Sequence, residues 1–169
     1  NVTNMAHMFD RCFVFNQDVG SWDVSNVTNM SYSFAACYEF NQDLSGWDVS
    51  NANDFFGMFR CSAEFNRDIS GWNMSNAVDL TSMFYGATKF NQPIGSWDTS
   101  KVNNTHGMFY KALDFNQDIG TWNMSNLRCM VEMFYKASSF NQDIGGWNMS
   151  LVKNMQHGFS HASAFNQDL

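Results

Sequence analysis

Tryptophan occurs six times, at Trp22, Trp47, Trp72, Trp97, Trp122 and Trp147, each 25 residues after the one before. The pair Phe-Asn keeps the same period seven times: Phe15-Asn16, Phe40-Asn41, Phe65-Asn66, Phe90-Asn91, Phe115-Asn116, Phe140-Asn141 and Phe165-Asn166. A second series, Phe9, Phe34, Phe59, Phe84, Phe109, Phe134 and Phe159, is equally strict, and no insertion or deletion interrupts it. The units are 1–25, 26–50, 51–75, 76–100, 101–125, 126–150 and 151–169. Such regularity predicts a single solenoid in which each residue lies over its counterpart in the next turn. A 25-residue unit is too small to bury a core alone, and a propeller blade needs about 40 residues.

Charge narrows the function. The chain carries a net charge of −7 with 9 Lys and Arg against 16 Asp and Glu. Without a basic cluster it is a poor candidate for nucleic acid, which is bound by cations that displace counterions. Apolar residues make up 44% of the chain, which argues against disorder, yet no apolar run has the length of a membrane span.

Within one unit, Val27, Met30 and Phe34 are apolar at helical spacing, and Ser25 stands where it could cap the first turn. The same serine recurs as Ser50, Ser75, Ser100, Ser125 and Ser150. Trp22-Asp23-Val24 alternates, which predicts a short strand with Trp22 and Val24 inward. The expected fold is therefore an α/β solenoid of about seven turns. It is leucine-rich-repeat-like, with one short strand and one short helix per 25-residue turn.

The run from Met133-Phe134-Tyr135-Lys136-Ala137-Ser138-Ser139-Phe140-Asn141-Gln142-Asp143-Ile144 into Gly145-Gly146-Trp147 resembles the BspA-type leucine-rich-repeat surface proteins. In particular it is similar to the 25-residue repeat of mycoplasma surface lipoproteins, and the likeness covers the whole chain. That resemblance implies a secreted or surface-attached solenoid, often adhesive, with no enzymatic activity.

The recurring positions suggest their own roles. The Phe and Trp series are expected to form aromatic ladders in the interior, with methionines such as Met5, Met30, Met83 and Met155 filling gaps beside them. Asn16, Asn41, Asn66, Asn91, Asn116, Asn141 and Asn166 are expected at a buried bend, satisfying backbone groups and one another. Asp18, Asp43, Asp68, Asp118, Asp143 and Asp168 form a second column, interrupted by Pro93. Stacked carboxylates repel, so they are either solvated, bonded to turn amides, or sharing Ca²⁺ as a weak metal candidate. No other cofactor is expected. His157 and His161 have ligand-like spacing but lack the glutamate of a hydrolase motif, and no nucleophile-base pair or phosphate loop is evident.

Cys12 and Cys37 share a position in adjacent turns and Cys61 is one position off, so a disulfide between two of these three is a candidate. Cysteine as a small core filler is the alternative. Cys129 is too distant to join them and is either free or paired with another protomer. The glycosylation sequon occurs at Asn1, Asn26, Asn29, Asn73, Asn103, Asn123 and Asn148.

Neither the first nor the last unit has a polar cap. The expectation is a piece of a longer array, or a chain whose ends are covered head to tail by copies of itself. The leading functional expectation is an extracellular, non-enzymatic, glycosylated structural solenoid, a building block of a surface fibril, stalk or layer. The alternative is a cell-surface adhesin that binds a protein or glycan through its outer strand face. An adhesin would carry a turn-specific aromatic or charged patch, whereas the outward residues read mostly as Asn, Ser, Gly and Asp.

Overall fold

Each unit closes one turn, and hydrogen bonds between residues about one unit apart fasten that turn to the next. The computed structural model describes all residues, 1–169. In the third turn the Phe55, Gly57, Phe59 and Cys61 N–H groups donate to the carbonyls of Asp79, Thr81, Met83 and Tyr85 at 3.1, 2.8, 2.9 and 2.6 Å. Alternate amides of one turn thus reach the turn above, and the pattern recurs along the chain. One residue per turn completes a parallel bridge: Asn4, Asn29, Asp54, Asp79, Asn104, Cys129 and Asn154 stand in one column.

Beyond that bridge the intervening carbonyls do not continue a ladder. They accept locally: Met58 N–H donates to Phe55, Arg60 to Gly57, Ser62 to Phe59 and Phe65 to Ser62, at 3.0–3.1 Å. The result is a string of tight turns. Two of them need a left-handed residue at their third position, which falls at the seventh and eleventh places of the unit. All fourteen such residues, from His7 and Arg11 to His157 and His161, have φ between 54° and 69°.

This corrects the expected architecture. A helix needs negative φ at every residue and bonds four residues back, and the inverted backbone at Tyr32 and Ala36 provides neither. No helix follows Ser25, and no paired strand spans Val19–Val24. The one helical element is a three-residue 3₁₀ turn, Ile94–Ser96, after Pro93. The solenoid is accordingly not α/β and not leucine-rich-repeat-like; its turns are coil joined by single bridges. The spacing of Val27, Met30 and Phe34 has another origin. The tandem turns direct the second, fifth, eighth, ninth and twelfth places of each unit inward, which imitates helical periodicity.

The interior is one continuous cluster of buried side chains running through every turn. Phe59, Phe84 and Phe109 stack with centroids 5.8 Å apart, and Phe65, Phe90 and Phe115 with centroids 6.0 Å apart. Within a turn the two columns meet, as Phe84 and Phe90 do at 3.8 Å. Trp97, Trp122 and Trp147 stack at 6.3 Å, and each indole N–H donates to a carbonyl of the preceding turn, Trp97 to Ile69 at 3.1 Å. The wide spacing of the apolar residues thus produces a stack of flat, offset ring contacts.

The left-handed places set a stability test. Gly57, Gly86 and Gly107 adopt positive φ without cost, whereas eleven non-glycine residues adopt it under strain. A Cβ on Gly57 would lie 2.8 Å from the Tyr32 ring, while on Gly107 its nearest neighbour is 3.5 Å away. Chemical denaturation should show Gly107→Ala losing about 1 kcal/mol and Gly57→Ala losing more. Lys111→Gly should be neutral or gain up to about 1 kcal/mol, because relief of strain outweighs glycine's entropy cost.

Candidate functional site

Two polar columns bracket the aromatic core. Asn16 Oδ1 accepts from the Asn41 backbone N–H at 3.0 Å, and the relation repeats from Asn41 to Asn66, Asn91, Asn116, Asn141 and Asn166. These asparagines are exposed or half-buried rather than buried at the bend, which corrects the expected burial. The neighbouring glutamine column, missed in the sequence, completes the set. Gln92 Nε2 donates to both Asn66 oxygens, at 3.1 and 2.7 Å, and Gln42, Gln117, Gln142 and Gln167 behave alike. Arg67 replaces glutamine in the third turn and donates Nε to the Asn41 carbonyl at 2.8 Å. The recurrence of Gln directly after Asn was the available signal.

The column Asp18, Asp43, Asp68, Asp118, Asp143 and Asp168 faces solvent. The first five each accept, through one carboxylate oxygen, the N–H two residues on, as Asp18 does from Gly20 at 2.9 Å. No group of three or more His, Cys, Asp or Glu side chains converges to hold a metal ion, so the weak calcium candidate has no site here. His157 and His161 both stand edge-on to the Tyr135 ring instead.

The serine expected to cap a helix has a different job. Ser25 Oγ and N–H both donate to Asp23 Oδ1, at 2.6 and 3.1 Å. Asp48 and Asp98 receive the corresponding serine amides, and Asn73, Asn123 and Asn148 accept the same amide bond without a charge. Side-chain and backbone donation from the serine holds the Asp23, Asp48 and Asp98 carboxyls below their ordinary value. A depressed folded-state pKa contributes stability above the unfolded value, near 3.9, that is lost as pH falls through the folded one. Acid titration of stability should therefore show a loss below about pH 4. Replacing Asp23, Asp48 and Asp98 together with Asn should make that loss shallower while leaving neutral-pH stability nearly unchanged.

Among the sequon asparagines, Asn73, Asn123 and Asn148 share one exposed column, and Asn1 and Asn26 are also exposed. Asn29 and Asn103 are half-buried, and Asn29 sits in the bridge column. All four cysteines are free. Of the two readings of Cys12, Cys37 and Cys61, no disulfide joins any of the three, and Cys37 is a small core filler, buried with its S–H donated to the Phe9 carbonyl at 3.1 Å. Burial pushes the Cys37 thiol up to about 12.

A face at the tenth and eleventh places of the unit differs from turn to turn, contrary to the expected monotony. Tyr85, Tyr110 and Tyr135 stack at 4.2 and 4.7 Å, nearly parallel. Arg60 caps the stack, its guanidinium 3.9 Å from the Tyr85 centroid. Lys111 and Lys136 lie beside Tyr110 and Tyr135 at 5.6 and 5.4 Å. In the second turn the small Ala35 and Ala36 occupy these places. A hollow of about 460 Å³ opens over them, walled by Tyr32 and flanked by Arg11 and Arg60.

The two ends present open core. Trp22 is 38% exposed against 3% for Trp47, and Val2, Met8, Met155 and Leu169 are exposed. No helix is long and apolar enough to cross a membrane.

These features define a repeat protein made of stacked coil turns with an aromatic core, an asparagine-glutamine corner and one variable face. The family model described as "Mycoplasma protein of unknown function, DUF285" matches twice, over residues 1–94 and 67–169, and the chain belongs to that family. No curated protein and no solved structure matches it.

Proposed function

We propose that this chain is a non-enzymatic, extracellular structural solenoid whose turns continue end to end, in further repeats or in copies of itself, within a surface fibril, stalk or layer. The observation that carries this reading is the sameness of every interface between neighbouring turns. Each inner turn gives its fifth-, seventh-, ninth- and eleventh-place amides to the fourth-, sixth-, eighth- and tenth-place carbonyls of the next, so the upper edge of one turn fits the lower edge of any other. The Phe rings stack across the same interface, Phe59 on Phe84 and Phe84 on Phe109 at 5.8 Å. A contact of this kind is heterologous, and unless it closes into a ring it extends. The likeness to BspA-type surface proteins supports the same placement at the cell surface, and the exposed Asn73, Asn123 and Asn148 column suits glycosylation after secretion.

Sedimentation and electron microscopy across a concentration series test the reading. The purified chain should lengthen end to end as concentration rises, and Met155→Glu with Phe159→Lys should block the lengthening. Short monomers at every concentration would remove the fibril reading in favour of the second one, a surface adhesin. The variable tyrosine and cation face favours that alternative.

A further inference from the structure

We propose that the face running from the Arg11–Arg60 hollow along Tyr85, Tyr110 and Tyr135 is a binding site for an acidic polysaccharide lying parallel to the solenoid axis. This deepens the adhesin reading and is independent of whether the ends polymerise.

Three observations carry it. The first is unspent positive charge. The chain has 16 acidic residues, and Lys89 finds one of them, Glu64, at 2.6 Å. Eight of the nine Lys and Arg, all but Lys89, form no ion pair, and four of these eight, Arg11, Arg60, Lys111 and Lys136, stand together at the tenth and eleventh places of the unit. In the hollow the one carboxylate, Asp10, is engaged with His7 Nδ1 at 3.1 Å. A cationic stripe on an acidic body attracts an anion to one place and repels it elsewhere.

The second is the state of the rings. Tyr110 is covered on both faces by Tyr85 and Tyr135, and Tyr85 is covered by Arg60 and Tyr110. Tyr135 is covered by Tyr110 on one side, with His157 and His161 nearly perpendicular to it at 6.4 and 5.4 Å. Both faces of Tyr85 and Tyr110 are occupied, leaving at most one Tyr135 face, too few for the successive platforms on which the bases of single-stranded nucleic acid stack. The half-buried rings leave a column of phenol hydroxyls, which donate to carboxylate or sulfate oxygens.

The third is spacing. Successive turns lie about one strand separation apart, roughly 4.8 Å, so the hydroxyls and the Lys111–Lys136 pair repeat at an interval comparable with the sugar repeat of an extended glycan. The hollow at Ala35 and Ala36 adds a place where two guanidiniums can fork one terminal carboxylate or sulfate.

Titration calorimetry with polygalacturonate, dextran sulfate, neutral dextran and oligo-dT of matched length tests this. Binding of at least one acidic polysaccharide, weakened by salt, with none to neutral dextran, is expected. Arg11→Gln with Arg60→Gln should weaken it at least about ten-fold, a loss of about 1.4 kcal/mol. Tyr85→Phe with Tyr110→Phe, which keeps the rings and removes hydroxyls, should weaken it less. Arg67→Gln with Lys89→Gln, on other faces, should leave it unchanged. Unaltered thermal melts separate loss of the site from loss of the fold. No binding to either acidic polysaccharide, tighter binding of oligo-dT, or equal loss in the Arg67/Lys89 variant would each overturn the proposal.

Discussion

Removing residues 76–100 is expected to leave a folded, cooperatively melting protein, while inserting one alanine between Phe84 and Tyr85 is expected to cost more than about 4 kcal/mol. The deletion takes out one whole turn. Phe59 then meets Phe109, Trp72 meets Trp122, and Asn66 Oδ1 meets the Asn116 N–H, so every relation seen between neighbouring turns is restored. Stability should fall only by one turn and one interface, as for any repeat array. The insertion falls within the tight turns. It moves the Tyr85 carbonyl out of step with Cys61 below and the Gly86 amide out of step with Tyr110 above, and it opens the two tight turns that span the insertion, Tyr85 N–H to Ser82 and Ala87 N–H to Phe84. Four hydrogen bonds at about 1 kcal/mol each are lost before any displacement of Phe84 is counted. Urea denaturation of the two variants, followed by tryptophan fluorescence, decides the order. If the deletion is the more damaging change, the turns are not interchangeable.

Phe84→Ala should destabilise by about 3–5 kcal/mol, and Phe159→Ala by clearly less. Phe84 is fully buried, lies between Phe59 and Phe109, and stacks on Phe90 at 3.8 Å. Truncation opens a cavity that rigid ladder bonds on both sides prevent from collapsing. Phe159 is half-buried, stacks on Phe165 at 4.4 Å, and along the axis has one ring neighbour, Phe134 at 5.3 Å, where Phe84 has two. For a chain of this size the central loss should lower the melting temperature by roughly 10 °C. Equal effects at the two positions would mean that the stack does not share its load along the axis.

Much of this was readable in the residues. The unbroken 25-residue period carries the register, and the Phe and Trp columns carry the inward faces, because only a stack of equal turns buries a ring at every repeat. The local backbone was less legible. Val27, Met30 and Phe34 have the spacing of a helix, and apolar spacing reports which side chains point inward, not how the chain turns between them. The deciding hint was small: Gly57, Gly107 and Gly86 fall at two places whose other occupants share nothing but positive φ. Ser25 read as a helix cap because a serine bonded to the preceding aspartate has the same local signature. At the candidate site the Asn column was evident, but its exposure was not. The tyrosine and arginine face was hidden by being non-repetitive. Arg60, Tyr85, Tyr110 and Tyr135 hold the place that Asp10, Ala35 and Ser160 hold elsewhere, and they become a surface only when the turns are stacked.

The most direct test of the stacking is a set of electron-spin distances. With the native cysteines replaced, nitroxide labels at positions 48 and 148 span four turns, and labels at 23 and 148 span five. At about 4.8 Å per turn the mean separations should be roughly 19 and 24 Å, each narrowly distributed. Separations that fail to grow with the number of turns, or broad distributions at both pairs, would contradict a solenoid of turns in register.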